Sequence, residues 1–486
     1  MSPTLTPPPP HSPLIHGPKI FGVRPKSPFL YTIPATGDRP MTFSVDNLPA
    51  SLKLDAASGR ITGTLTQTGT FPITFHAENV LGKTSRNFKI VVGDTIALTP
   101  PMGWNSWNCW GSGISQVKVL RSAHAIIKAG LDEHGWTYVN MDDAWQGRRG
   151  GEFNAIQPDP KPFPDIKAMA DEIHGLGLKV GLYSTPWVIS YAGHVGGSSE
   201  NVDGAFDKNA YPKRTPNKKI LPDAIAPYHF FTNDAKQWAA WGIDYLKFDW
   251  APNELPETTE MAGALRAAGR DVVFSLSNNS TNSLFDIIGD MSNVANCWRI
   301  GGDITDTWGS MAGHGFHQDK WAPFEKPGHW NDPDMLEIGA NGGGKPKRLT
   351  ADEQYTHISI WCLVSAPLLL GCDLDYLDDF TLGLITNDEV IDVDQDELGK
   401  EATLVARQGD LQVYAKPLAD GSWAVGLFNL GPTESQVMLK WSDIGISGPQ
   451  TVRDLWRQKD LGEFTDSFAS TVASHGVTLV RVISTK

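Results

Sequence analysis

The chain has 486 residues, 40% of them apolar and 20% charged, with a formal net charge of −14. One hydrophobic core rarely grows past roughly 250–300 residues, so a single domain is excluded, and so is a disordered chain, which would carry more charge and fewer large apolar residues. The negative field argues against nucleic acid or anionic lipid as partners, and no stretch of about 20 apolar residues offers a membrane span.

In chain order, residues 1–18 are Pro-rich and predict an extended linker, and the opening MSPTLTPPPP lacks the features of a secretory signal, so the chain is expected to begin after a removed one. Across 19–95, short alternating stretches such as 43–45 and 71–75, broken by turn signals at Ala57-Ser58-Gly59 and Leu81-Gly82, predict an Ig-like β-sandwich. From 96 to 398 the texture becomes apolar strands, at 102–104, 138–141, 180–183, 245–248, 272–276 and 297–300, each followed by a helical stretch. Alternation over about 300 residues implies a parallel sheet closed into a (β/α)8 barrel. The segment 188–229, rich in Gly, Asn and Lys, is expected as an exposed loop over the barrel mouth, and the apolar run 358–370 as a buried helix. From 399 to 486 strands return, at 411–415, 423–428 and 478–482, predicting a C-terminal antiparallel β-sandwich.

Four cysteines, Cys109, Cys297, Cys362 and Cys372, form no CxxC pair and indicate neither a zinc site nor a disulfide framework. Seventeen tryptophans suit either sandwich and barrel cores or the flat faces of sugars.

A barrel of this type carries its chemistry where the strands end at their carboxyl side. In Asp244-Tyr-Leu-Lys-Phe-Asp-Trp250, Lys247 and Asp249 lie two apart on a strand and point the same way, so an ammonium there keeps the carboxylate ionised, as a nucleophile requires; a structural ion pair is the alternative. Asp142 and Asp143 end another strand, Asp303 follows Arg299 by four residues, and His329-Trp-Asn-Asp-Pro-Asp-Met335 adds further acids. Acids interleaved with Lys and Arg compete poorly for a metal ion and suit sugar hydroxyls. His314 and His317 have helical spacing but no HExxH pattern, and read as solvated loop residues.

The motifs TPPMGWNSWNCWG, MDDAWQ, GLYS, DYLKFDW, RIGGDI, GHWNDPDML, DEQYTHISIWCLVSAPLLLGCDL and VIDVDQDELGK, in this order over about 97–400, resemble family 27 of the glycoside hydrolases, the α-galactosidase and α-N-acetylgalactosaminidase family. VYAKPLADGSWAVGLFNL resembles that family's C-terminal sandwich, and DAASGRITGTLTQTGTFPITFHAENVLG resembles Ig-like modules of bacterial extracellular enzymes. The resemblance implies a cofactor-independent, retaining hydrolase of terminal α-galactosides in oligo- or polysaccharides, secreted or periplasmic. In it Asp249 is the nucleophile and Asp303 the acid/base, with a raised pKa on Asp303 alone. It further implies that Asp142 and Asp143 bind the O4 and O6 hydroxyls, that Lys247 and Arg299 bind ring hydroxyls, and that Trp107, Tyr183 and Met335 wall the pocket. Where galactose-specific members read the 2-hydroxyl with a Cys-Glu-Trp motif, this chain has Ser275-Leu-Ser-Asn-Asn-Ser280, making Ser277 and Asn278 the candidates at C2. The alternatives are α-N-acetylgalactosaminidase, β-L-arabinopyranosidase, isomalto-dextranase and a catalytically inactive carbohydrate-binding protein.

Overall fold

The computed structural model describes residues 4–205, 225–277 and 281–485, in three layered units. The N-terminal unit packs a four-stranded sheet, Ile20–Val23, Gly82–Val92, Gly69–Asn79 and Thr42–Asp46 in spatial order, on a three-stranded one, Pro28–Thr32, Arg60–Thr64 and Leu52–Asp55. Alternation along Gly69–Asn79 turns Ile73, Phe75 and Ala77 inward, where they meet Phe29, Phe43, Phe88 and Ile90. This is the sandwich expected from the period-2 pattern.

The central unit is a ring of parallel strands: β1 (Met102–Asn105), β2 (Tyr138–Asn140), β3 (Lys179–Ser184), β4 (Tyr245–Asp249), β5 (Val273–Ser277), β6 (Cys297–Arg299), β7 (Trp330–Asp332) and β8 (Leu368–Leu370). Each pairs with its sequence neighbour, β1 also pairs with β8, and the ring closes through a parallel bridge between Leu336, just past β7, and Leu370. Helices α1 (Gln116–Lys128), α2 (Ile166–Gly175), α3 (Phe231–Trp241), α4 (Leu255–Ala267), α5 (Thr281–Met291), α6 (Trp308–Gly315) and α7 (Ala351–Leu363) intervene, and Asp379–Ile385 and Asp388–Asp394 follow β8. Their ends are set locally: Ser115 and Asp165 cap α1 and α2, and Thr350 with Glu353 forms a capping box on α7.

The C-terminal unit has a six-stranded antiparallel sheet, Thr403–Gln408, Leu411–Pro417, Trp423–Asn429, Val477–Ser484, Gln450–Asp454 and Lys459–Phe464, facing the pair Ser435–Lys440 and Ser467–Val472. Val413, Leu427, Leu439 and Trp441 fill the space between them.

Two expectations change. The run 358–370 is not one helix: α7 ends at Leu363, and Leu368–Leu370 is barrel strand β8. The linker expected over 1–18 is docked at two places in its described part, because Leu14–Ile15 pairs with Ala35–Thr36, and Leu5 N–H donates to the Tyr355 hydroxyl on α7 at 2.8 Å. These contacts satisfy backbone groups that an apolar surface would otherwise strip of water.

The N-terminal unit sits under the barrel. Phe21 and Tyr31 line a cleft with Met102, Tyr138, Lys179 and Val273, which begin or lie at the amino ends of β1, β2, β3 and β5. The N-terminal unit thus lies at the end of the barrel opposite the carboxyl ends of the strands. Among the described residues no helix is long and apolar enough to cross a membrane.

Candidate active site

The pleat of β4 puts Lys247 and Asp249 on one face, and parallel registry sets Lys247 between Tyr183 and Ser275 and Asp249 beside Ser277. Lys247 does not simply pair with its strand neighbour. Its Nζ donates to Asp142 Oδ2 at 2.9 Å, and Asn105 Nδ2 donates to the same oxygen at 2.9 Å. Asp249, 9% exposed, instead accepts from the Tyr183 hydroxyl at 3.0 Å.

Asp142 and Asp143 leave β2 buried, the first held by Ser106 Oγ accepting its N–H at 2.9 Å. Asp143 accepts from Gln146 Nε2 at 3.1 Å and from the Ala192 N–H at 2.8 Å. Ala192 belongs to the segment after β3, so the expected exposed loop is corrected in its described part. Val188, Ser190, Val195, Ser198 and Ser199 are buried, and Ser198–Ser199 pairs with Tyr228–His229. Residues 206–224 lie outside the described residues.

At the end of β6 the buried Arg299 guanidinium reaches Asp334 Oδ2 at 2.9 Å and Asp303 Oδ1 at 3.3 Å, while the Asp303 side chain is 76% exposed. Met335 and Ser277 line the same pocket as Lys247 and Arg299. Trp107, in the short turn Trp107–Trp110 after β1, packs half-buried on the cluster holding Met335 and Leu369. Asn278 lies outside the described residues. All the other sequence candidates converge at one mouth.

The electrostatics are not those expected. Burial pushes Asp249 up to about 7; Lys247 and Tyr183 oppose this, whereas the charges of Asp142 and Asp303 add to it. Burial also raises Asp303, but Arg299 and Lys247 outweigh it and hold that carboxyl below its ordinary range. The proton of the substrate-free site thus rests on Asp249 and not on Asp303, because Asp303 leans out beside a guanidinium while Asp249 sits deep among acids. Burial would lower Lys247, yet Asp142 and Asp249 keep it above its usual value. Burial raises Asp143 as well.

Sequence reasoning missed Asn105, and it noted Asp332 and Asp334 as acids without giving them a role. Asn105 and Asp332 end β1 and β7, Asp334 follows β7, and all three line the pocket. Asp334 holds φ at 90°, kept there by its N–H on Asp332 Oδ1 at 2.8 Å and by Ile304 N–H on its own Oδ2 at 2.8 Å, a strained backbone of the kind found at functional sites. His314 is not a solvated loop residue. It sits on α6 with Nε2 2.8 Å from the Gly302 carbonyl and Nδ1 2.7 Å from the Ser310 carbonyl. The one metal-like trio among the described residues is His16, His134 and Asp388, at the seam below the barrel, where His134 Nδ1 hydrogen-bonds the carboxylate and His16 Nδ1 lies 3.1 Å from it. The four cysteines are free and buried.

A family profile described as alpha galactosidase A matches residues 99–210 and 221–396, one for the alpha galactosidase C-terminal beta sandwich domain matches 408–482, and an Ig-domain profile matches 12–93. An α-galactosidase of Cyamopsis tetragonoloba is 39% identical over 385 residues, covering 78% of this chain and 84% of that one. The crystal structure of a candidate α-galactosidase from Bacteroides fragilis superposes with a TM-score of 0.86 at 31% identity, covering 98% of both chains. That of a β-L-arabinopyranosidase from Geobacillus stearothermophilus does so with a TM-score of 0.67 at 28% identity, over 80% of this chain and 97% of the other.

Proposed function

Since this chain belongs to the alpha galactosidase A family and is a glycoside hydrolase, we propose that it releases terminal α-linked galactose with retention, Asp249 attacking and Asp303 donating and then accepting the proton. The observation that carries the reading is the convergence at the carboxyl ends of the strands: Asp249 on Tyr183, Asp142 on Lys247, and Asp303 on Arg299. In the first half-reaction the Asp249 carboxylate bonds C1 as the C1–O bond breaks, and the Asp303 proton leaves with the departing alcohol. In the second, Asp303 takes a proton from water as its oxygen bonds C1 and frees Asp249. Lys247 and Arg299 offset the negative charge that the acids gather around the ring. Asp142 and Asp143 accept from galactose hydroxyls, which favours an axial O4.

A second reading, β-L-arabinopyranoside hydrolysis, is favoured by one feature: the Ala192 N–H occupies Asp143 Oδ2, which leaves that oxygen less free for the C6 hydroxyl that an arabinopyranose lacks. A panel of nitrophenyl glycosides decides between them. Galactoside cleavage with the α-anomer as first product is expected, and a first-formed β-anomer would overturn the mechanism. Asp249→Asn is expected to cut turnover by on the order of 10³-fold or more while the thermal midpoint holds, since a carboxamide cannot form the intermediate. An Ig-like module and a saccharide substrate also support work outside the cytoplasm, which cell fractionation would test.

A further inference from the structure

Little holds the side chain of Asp303 itself. Its carboxyl is 76% exposed, and Arg299, at 3.3 Å, is its one ion-pair partner among the described residues. It also follows Gly301 and Gly302, the residue type with the widest backbone freedom. A general acid contributes about 10²–10⁴-fold, and only from within hydrogen-bond reach of the oxygen it serves. Where the Asp303 carboxyl lies is therefore decided by what grips the backbone on either side of it.

Both sides are gripped. After Asp303, the Ile304 N–H donates to Asp334 Oδ2 at 2.8 Å, and Trp361 Nε1 on α7 donates to the Asp334 carbonyl at 2.7 Å. Before Asp303, the Gly302 carbonyl accepts from Arg299 and, at 2.8 Å, from His314 Nε2. Arg299 is spread over Asp303 and Asp334 as well, so His314 is the donor given over to this carbonyl. The ring also packs on the glycines, with Cδ2 3.1 Å from where a Cβ on Gly301 would stand. Its base is firm, since Gly315 lets α6 lie against Trp361, whose ring would come within 2.7 Å of a Cβ there. The other ring nitrogen, Nδ1, is 2.7 Å from the Ser310 carbonyl one turn back. A carbonyl only accepts, so a ring nitrogen bonds it by carrying a proton, and the imidazolium bonds both carbonyls at once.

We propose that His314 is a positioning residue for the reaction: by donating from Nε2 to the Gly302 carbonyl, it holds the Gly301–Gly302 stretch where the Asp303 carboxyl meets the glycosidic oxygen. The inference rests on the reading that Asp249 and Asp303 hydrolyse a terminal galactoside. His314 acts through the backbone of Asp303 and takes no proton in the reaction. Its charge reaches Asp303 too: burial raises that carboxyl, and Arg299, Lys247 and then His314 lower it. A neutral donor at this position separates the two influences, since it keeps the hydrogen bond and drops the charge.

The signature of a misplaced acid is dependence on the leaving group. Methanol departs only with the Asp303 proton, whereas a dinitrophenolate is stable enough to leave without one. In His314→Leu, kcat/KM for methyl α-galactoside is expected to fall about tenfold relative to kcat/KM for dinitrophenyl α-galactoside, chiefly through kcat. His314→Gln brings a neutral amide N–H close to the place of Nε2 and should recover most of the ratio. His314→Asn is too short to reach Gly302 and should behave as the Leu variant, which keeps the test available if Leu disturbs the fold; circular dichroism and the thermal midpoint report on folding. A folded Leu or Asn variant that loses both substrates alike, or neither, overturns the proposal, as does a Gln variant no better than they are. A parent enzyme that cleaves neither substrate overturns instead the galactosidase reading, so the two failures are distinct.

Discussion

Asp249 holds its proton up to about 7 while Asp303 titrates below the ordinary carboxylate range, so the arrangement retaining chemistry needs, charge on Asp249 and proton on Asp303, is the minority form of a singly protonated pair. The pair loses its last proton on passing about 7, and kcat/KM, which reports the free enzyme, should fall there on its alkaline side. Tyr183 sharpens the point, because its hydroxyl donates to Asp249 Oδ2 at 3.0 Å and so favours the charged form. A hydrogen bond to a charged group contributes roughly 1.5–3 kcal/mol, and one pKa unit corresponds to about 1.4 kcal/mol. Tyr183→Phe should then push Asp249 up by about one unit, move the alkaline limb of the kcat/KM profile to higher pH by the same amount, and lower its maximum as the productive form becomes rarer. A limb that stays put, or moves to lower pH, would show that Asp249 is not the group titrating there.

At the level of elements, glycine sets how closely the barrel strands approach. A Cβ on Gly103 in β1 would collide with the Tyr138 backbone carbonyl on β2, a neighbour that cannot swing aside as a side chain could. Gly103→Ala should therefore break the β1–β2 registry and lower the thermal midpoint by several degrees or prevent folding, whereas Gly313→Ala, facing open space, should raise it slightly. A Gly103→Ala protein as stable as the parent would show that the ring shifts freely. The same contrast explains what could be read from the chain. β4 is legible because YLKFD alternates apolar and ionic positions, and five further strands are legible because short apolar runs precede turn residues. β8 is not, since LLL closely follows a helix that is buried nearly all round and ends in the apolar run Ile360–Leu363, and without alternation a buried strand and a buried helix look alike. Leu14–Ile15 is hidden in a Pro-rich stretch whose pairing partner lies about twenty residues on. The site divides likewise: ionic residues on strands announce themselves, but the segment after β3 reaches Asp143 through a backbone N–H, and no side-chain pattern encodes that. Nor could the chain reveal which acid keeps the proton, since that depends on how deep each carboxyl lies once folded.

On the scale of the whole molecule, the N-terminal unit meets the barrel floor through a charge pattern that is mostly one-sided, with Asp94–Arg266 the pair that runs the other way. Its Arg24, Arg39, Arg86 and Lys89 meet Asp271, Glu133, Asp392 and Glu397 of the barrel unit. The outer pairs, Arg39–Glu133 and Lys89–Glu397, are of the exposed kind that contributes about 0–1 kcal/mol each, so they orient the unit more than they hold it. His16 is the buried part of the seam. It is 4% exposed, stacks on His134 with ring centroids 5.5 Å apart, and places Nδ1 3.1 Å from Asp388 and Nε2 2.7 Å from Thr36 Oγ1. Burial, with help from His134 and Arg86, lowers its pKa to about 3. An unfolded chain protonates this ring below about 6.5 while the folded one resists until about 3, so its contribution to stability is intact above 6.5 and is lost as pH falls between those values. Linkage puts the loss at about 2 kcal/mol by pH 5. Asp388, raised by burial, works in the opposite sense, so the wild type alone does not isolate His16. His16→Asn keeps a polar group at the seam but cannot titrate. Its thermal midpoint should start lower at pH 7 and decline less than that of the parent between pH 7 and 5, the two curves drawing together by a few degrees. Parallel curves would mean that the seam accepts a proton on His16 without cost, and that the N-terminal unit is held to the barrel by something other than this buried neutral ring.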